Sequence, residues 1–227
     1  KTFTKGIALF EKYRKSVYKI RLTCELDASK KNKDDIQCDN SGLAYPTETT
    51  FSGSGFLCAK NKVCSNAHVV SCIDVCYNMS EVSIQSVEGE STSVNSDSSK
   101  DTGTSPFFIT NSSADIKIVN SAGDLAKITV TDAPSDAVLP LSEDAYTKSV
   151  TNLMTILSMS FPLGFQDLHI DLGEVVVANL THCTGNSSSL DKYFCPAAYY
   201  DFSTSNDTDH GSSGSPLIDI ESGMVVA

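Results

Sequence analysis

The sequence has no long hydrophobic run and no surplus of positive charge. Of its 227 residues 40% are hydrophobic, yet the longest apolar runs fall far short of the roughly 20 residues with which a helix crosses a bilayer. Acidic residues outnumber basic ones by 28 to 17, which gives a formal net charge of −11. Phosphate binding needs clustered lysine and arginine, and the one basic run, at 30–33, is followed at once by two aspartates. These absences exclude a membrane-spanning helix and argue against nucleic acid as a partner.

Cysteine, in contrast, is abundant. An even and high number of cysteines is typical of proteins from an oxidising compartment. The eight are Cys24, Cys38, Cys58, Cys64, Cys72, Cys76, Cys183 and Cys195. Asn-x-Ser/Thr acceptor sites, which indicate glycosylation, stand at Asn78, Asn111, Asn179, Asn186 and Asn206. We therefore predict a secreted or lumenal glycoprotein.

The spacing of the cysteines favours disulfides. Pairs Cys24–Cys38 and Cys183–Cys195 would each close a short polar loop, worth roughly 3 kcal/mol in the chain-entropy model. The other four surround His68 and allow three pairings, among which the sequence does not choose. Their spacings do not form the paired Cys-x2-Cys knuckles of zinc sites, so we predict no metal. A zinc-stabilised secreted domain is the alternative, and it requires metal in the purified protein.

The pattern of apolar residues predicts a β-rich domain with one helix at its start. In residues 4–16 apolar side chains recur at spacings of three and four, which favours an amphipathic helix. Short segments such as 18–24 and 157–161 alternate apolar and polar residues, as strands do. Many such strands with Gly, Ser and Asn between them predict a sandwich or barrel. The polar segments 27–50 and 89–105 are predicted to be loops.

Two motifs carry residues suited to nucleophilic catalysis. Residues 211–216 read Gly-Ser-Ser-Gly-Ser-Pro and contain Ser213, while residues 65–70 read Ser-Asn-Ala-His-Val-Val and contain His68. Glycine permits the backbone conformations that a tight nucleophile turn requires. A histidine, whose unperturbed pKa is about 6.5, can remove the serine proton. We predict that Ser213 is the nucleophile and His68 the general base.

A carboxylate must orient that histidine. Residues 135–139 read Ser-Asp-Ala-Val-Leu, and Asp136 there follows a strand-like segment, so Asp136 is our predicted acid. The alternatives are Asp115, Asp124 and Asp132.

In this order the three motifs resemble those of the chymotrypsin-fold (trypsin-like) serine peptidases, closest to the HtrA and glutamyl-endopeptidase (V8-like) branch. That branch has a Thr-Asn-Ala-His-Val-Val box, an Asp-Leu-Ala-Val-Leu box and a Gly-Asn-Ser-Gly-Gly/Ser-Pro box. The resemblance implies an all-β fold of two six-stranded antiparallel β-barrels with a short N-terminal helix, the second barrel being incomplete. The implied division is 1–140 for the helix and first barrel, 141–150 for a connector and 151–227 for the second barrel.

The resemblance also implies an activity. The backbone N–H groups of Gly211 and Ser213 would form an oxyanion hole. The chain would be a serine endopeptidase that acts on proteins or peptides through an acyl-enzyme, with no cofactor. Ser212 stands where trypsin-like enzymes have an aspartate that pairs with a new N-terminus, so no trypsinogen-type activation is expected. The alternative is a catalytically silent domain of this fold that serves as a structural or protein-binding module.

The sequence indicates less about substrate preference than about the other properties. Candidate specificity residues are Asp207, Thr208 and His210, which precede the nucleophile. A glycan on Asn206 would place this stretch at the surface, so a glycan there and a pocket base at Asp207 exclude each other.

Overall fold

The structure, a computed structural model, describes residues 2–32, 34–39, 46–72, 74–86, 116–120, 124–130, 137–141, 150–165, 167–180 and 201–227. Within them the chain forms one α-helix and ten strands, and the strands make two antiparallel sheets. The elements are α1 (Thr2–Tyr13), β1 (Val17–Leu26), β2 (Glu48–Ala59), β3 (Lys62–Asn66), β4 (Tyr77–Ser86), β5 (Ile116–Asn120), β6 (Leu125–Thr129), β7 (Thr155–Ser160), β8 (His169–Leu180), β9 (Asp201–Thr204) and β10 (Leu217–Asp219). This all-β architecture with a short N-terminal helix confirms the predicted fold class.

The first sheet is curled and has six strands in the order β4-β1-β2-β3-β6-β5. Alternate side chains of β1, among them Tyr18, Ile20 and Leu22, are fully buried. They pack with residues of β3, β4 and β6 into one hydrophobic core. The predicted alternation in 18–24 is confirmed, because only one face of this strand meets the core.

The second sheet has four strands in the described part of the chain, in the order β10-β7-β8-β9. Its core includes Leu157, Met159 and Ile218, and Tyr13 of α1 is buried in the same cluster. The predicted helix at 4–16 therefore exists, as α1 followed by a 3-10 turn at Arg14–Ser16. The cluster that buries Tyr13 contains Phe56 of the first sheet as well as Leu157 of the second, so the helix covers the place where the two sheets meet. No helix in the described ranges is both long and apolar enough to cross a bilayer.

Three disulfides link the first half of the chain, and one corrects a prediction. They are Cys24–Cys72, Cys38–Cys76 and Cys58–Cys64. The predicted Cys24–Cys38 bond is wrong, because the loop after β1 folds back onto the segment before β4. The backbone N–H of Asp27 donates to the carbonyl of Cys76 at 2.8 Å. The short loop between Cys24 and Cys38 therefore did not determine which cysteines form disulfides. The predicted Cys183–Cys195 bond and the loop at 89–105 lie outside the described residues.

Candidate active site

His68 lies in a 3-10 turn, Ala67–Val70, that directly follows β3. Strand β6 runs antiparallel to β3, with Leu125 opposite Asn66. The residue just before β6 therefore meets the residues just after β3. That residue is Asp124, whose backbone carbonyl accepts hydrogen bonds from the Ala67 N–H at 2.8 Å and from Asn66 Nδ2 at 3.1 Å.

The Asp124 carboxylate holds His68 at two points. Its Oδ2 lies 2.5 Å from His68 Nδ1, and its Oδ1 accepts the His68 backbone N–H at 2.9 Å. Partial burial raises the pKa of the Asp124 carboxyl, but the hydrogen bonds from the ring and the N–H of His68 outweigh burial and lower it. An ionised carboxylate at Nδ1 keeps the proton on that nitrogen of a neutral ring, which leaves Nε2 as the proton acceptor.

The predicted acid, Asp136, lies outside the described residues. The carboxylate found on the His68 ring is Asp124, which was one of the alternatives. A signal for it was present in the sequence, since Asp124-Leu125-Ala126 matches the first three residues of the family's acid box. The prediction of Asp136 relied instead on the strand-like segment that precedes it.

The loop 211–216, here called the nucleophile loop after the role predicted for Ser213, is a tight turn packed against the first sheet. Gly211 and Gly214 have φ values of 95° and 84°, a region that favours glycine. A Cβ on Gly214 would lie 2.2 Å from the carbonyl oxygen of Ser54 and 2.3 Å from Ser65 Oγ. Only glycine allows the loop to approach β2 and β3 this closely.

The backbone N–H groups of Gly211 and Ser213, which the sequence predicts to form an oxyanion hole, are not used in hydrogen bonds among the described residues. The carbonyl of His210 accepts a hydrogen bond from the Leu163 N–H. Because a trans peptide is planar, the N–H of Gly211 points the opposite way from that carbonyl. Within the described part of the chain, neither the Gly211 N–H nor the Ser213 N–H has a hydrogen-bond acceptor.

Strand β2 brings the histidine turn and the nucleophile loop together at Gly53. A Cβ placed on Gly53 would lie 2.5 Å from Val69 Cγ1 and 3.2 Å from the carbonyl oxygen of Ser213. Val69, which follows His68, and Ser213 therefore both lie close to Gly53. No hydrogen bond joins Ser213 Oγ to His68 among the described residues, and in unliganded enzymes this contact is often long.

Comparison with known proteins agrees with this geometry. The family model described as a trypsin-like peptidase domain matches residues 53–227, which hold His68, Asp124 and Ser213. The chain belongs to the trypsin-like peptidase domain family. A search of curated proteins finds no match.

Solved structures of proteases share the fold of this peptidase domain. The Rv3671c protease from M. tuberculosis in its active form aligns at a TM-score of 0.57 and 19% identity, over 96% of this chain and 70% of that one. Deg5 aligns at 0.58 and 16% identity, over 98% and 82%. The HtrA-type protease AlgW with a decapeptide aligns at 0.58 and 12% identity, over 97% and 57%.

Beside Ser213, the peptidase domain has an open cavity of about 620 Å³. Thr208 and His210 line it together with Ser213, whereas Asp207 does not. The Asp207 backbone N–H donates to Asp171 Oδ2 at 2.8 Å, which ties this residue to β8 instead. Of the three candidate specificity residues, two therefore lie where a substrate side chain could reach them. Among the described residues no cluster of His, Cys, Asp and Glu is arranged to hold a metal.

The structure argues against a glycan on Asn206. This side chain is buried, and its Nδ2, the atom to which a glycan would be attached, donates to the backbone carbonyl and to Oδ2 of Asp171, both at 3.1 Å. Asn206 also packs closely against Gly173, where even a Cβ would lie 2.6 Å from Asn206 Oδ1. Asn78 is exposed, so its glycosylation stays a prediction. Asn111 and Asn186, and the side chain of Asn179, lie outside the described residues.

Proposed function

We propose that this chain is the catalytic domain of a serine endopeptidase with Ser213 as nucleophile, His68 as general base and Asp124 as the orienting acid. Peptides and proteins are its substrates. Asp124 takes the role that the sequence motif had assigned to Asp136. The observation that carries the proposal is the Asp124–His68 pair, with its 2.5 Å contact at Nδ1, beside a glycine turn that holds Ser213.

The chemistry follows from these groups. Nε2 of His68 takes the Ser213 proton as Oγ attacks the scissile carbonyl, and the N–H groups of Gly211 and Ser213 stabilise the resulting oxyanion. The protonated imidazole then gives its proton to the leaving amine, so that the peptide bond breaks and an acyl-enzyme remains. Water, deprotonated by the same imidazole, releases the acyl group. Asp124 stays ionised throughout and stabilises the imidazolium.

We further propose that the domain works outside the reducing cytosol. The support is chemical, since three disulfides join its β-strands and loops and such bonds persist in oxidising compartments. The proposed division is 1–140 for the helix and first barrel, 141–150 for the connector and 151–227 for the second barrel.

The proposal is tested by labelling the disulfide-intact protein with a fluorophosphonate probe, with peptide-library cleavage measured alongside. We expect stoichiometric labelling at Ser213, lost in Ser213→Ala and in His68→Ala. His169→Ala is the matched control, since His169 is also exposed but stacks on Phe165 with ring centroids 5.5 Å apart. If the folded wild-type protein neither labels nor cleaves, it is a silent module of the same fold.

A further inference from the structure

The nucleophile loop is held from outside by one buried residue of the first sheet, Ser54. Position 212, in the middle of the loop, carries no charge that could anchor it. In the described part of the chain, the Ser212 hydroxyl makes two long contacts of 3.3 Å, to the Asp209 N–H and to Ser160 Oγ, and no shorter one. Ser54, in contrast, is fully buried in β2.

Both ends of the oxyanion segment bind Ser54. Its Oγ donates to the carbonyl of Gly211 at 2.7 Å, and its backbone N–H donates to the carbonyl of Ser213 at 2.8 Å. These are the same two residues whose N–H groups face the proposed oxyanion. The two bonds hold the peptides 211–212 and 213–214. Since the Ser213 N–H belongs to the peptide between these two, and the Gly211 N–H to the peptide just before them, Ser54 limits how both N–H groups can turn.

The Ser54 hydroxyl also joins the two halves of the molecule. It accepts the backbone N–H of Phe161 at 2.9 Å, just beyond the end of β7 in the second sheet. The carbonyl of Ser54 in turn accepts Ser65 Oγ at 2.7 Å, three residues before His68. Every polar group of Ser54 therefore has a partner. Those partners lie just after β7, in the nucleophile loop and in the strand that leads to the histidine.

We propose that Ser54 is the positioning residue of the oxyanion hole. Its hydroxyl fixes the Gly211 peptide against both sheets, so the hole is set when the two sheets come together and no charged anchor within the loop is needed. This inference rests on the proposed peptidase function. Ser54 itself does not touch the substrate.

The test compares Ser54→Ala with Ser86→Ala, both measured per active site titrated. Ser86 is a matched control, since it is a buried strand serine of the same sheet, at the end of β4. Alanine at 54 leaves the Gly211 carbonyl and the Phe161 N–H without their shared partner. Deleting one oxyanion donor costs on the order of 10²–10³ in kcat. Displacing one should cost roughly 10- to 100-fold, with KM changed less than about twofold.

Two further readouts separate positioning from mere stability. Fluorophosphonate labelling should slow in proportion to kcat, because the phosphonyl oxygen occupies the same hole. The pH dependence of kcat/KM should keep its shape, because the Asp124–His68 pair is untouched. Ser86→Ala should lower stability at most and leave kcat per titrated site at the wild-type value.

Wild-type kcat in folded Ser54→Ala, or an equal loss of kcat in both variants, would overturn the positioning role while leaving the peptidase function intact. If Ser54→Ala does not fold, Ser54→Cys replaces it, since a thiol of similar shape is a weaker donor and acceptor. There we expect kcat to fall several-fold at unchanged KM, and an unchanged kcat overturns the proposal. A wild-type protein that is itself inert instead contradicts the proposed function.

Discussion

At the scale of single residues, Asp124 combines a backbone and a side-chain role. Its carbonyl closes the turn after β3, and its carboxylate accepts both N–H groups of His68 that face it. Its lowered pKa means that the carboxylate is protonated only as the pH falls below the usual range of an aspartate. The pair is therefore intact at every pH at which an imidazole acts as a base.

Replacing Asp124 by asparagine should remove activity with little loss of fold. The amide keeps the size of the side chain, but it can no longer keep the proton on Nδ1, so the wrong tautomer of His68 faces Ser213. We expect kcat to fall on the order of 10³–10⁴-fold, as for triad aspartates in general. The measurement is kcat of Asp124→Asn per folded molecule.

Asp136→Asn is the matched control, since it tests the acid that the sequence motif favoured. It should retain activity near the wild-type level. The reverse result, with Asp136→Asn inactive and Asp124→Asn active, would exchange the two roles.

Tyr18 provides a pH-dependent test of the first core. Its side chain is fully buried, its hydroxyl has no partner among the described residues, and burial raises its pKa to about 12. An unfolded tyrosine titrates near pH 10. The folded state thus holds this proton more tightly, and its contribution to stability is complete below pH 10 and is lost as the pH rises towards 12.

Tyr18→Phe should therefore lose less stability at alkaline pH than the wild-type protein. The difference between the two free energies of unfolding should be nearly constant up to about pH 9. It should then grow in favour of phenylalanine, to at most about 2 kcal/mol near pH 12. Urea unfolding at a series of pH values measures it, and parallel curves above pH 10 would contradict the burial of the hydroxyl.

At the scale of elements, strand register decides which residues come into contact. The helix and the strands were predictable, because their apolar residues recur with the local period of each element. Burial follows that period in β1, whereas the polar Ser158 and Ser160 of β7 are buried as well. The partner of Cys24 was not predictable, because it depends on pairing between segments far apart in sequence. The partner of His68 had a signal in the Asp-Leu-Ala order at 124–126, but the sequence alone did not decide between Asp124 and the other acids. Asp124 reaches His68 only through the β3–β6 register, and Cys24 reaches Cys72 only because β1 lies beside the histidine turn.

The two disulfides nearest this turn should differ in their effect. In the chain-entropy model, Cys24–Cys72 with a separation of 48 residues stabilises by roughly 4 kcal/mol, and Cys58–Cys64 with a separation of 6 by roughly 2 kcal/mol. The double variant Cys24→Ala/Cys72→Ala should therefore unfold at lower denaturant concentration than Cys58→Ala/Cys64→Ala. Only the first should also lower the titrated active fraction, since Cys72 follows His68 closely. Equal midpoints and equal active fractions would contradict this ranking.

At the scale of the whole molecule, the site exists only where two sheets meet. Ser213 arrives from the second half of the chain, while His68 and Asp124 belong to the first. The nucleophile loop bonds to β2 through the Ser54 N–H and Oγ and packs on β3 through Gly214. The proposed activity therefore requires that the two halves of the chain associate.

Gly214→Ala should separate the two halves at the site. Its φ of +84° and the backbone oxygen of Ser54, 2.2 Å from the new Cβ, leave no room for a methyl group. A strained backbone and a clash with backbone together should cost about 3 kcal/mol or more. Fluorophosphonate labelling should fall at least about 100-fold, since the loop must move away from Ser54.

Gly223→Ala is the control for backbone strain alone. Its φ is +71°, but the nearest atom to its new Cβ is the end of the Leu9 side chain at 3.3 Å, which can shift. It should lose roughly 1–2 kcal/mol of stability and label at the wild-type rate per folded molecule. Equal labelling by the two folded variants would mean that close contact between the nucleophile loop and β2 is not required for the site to form.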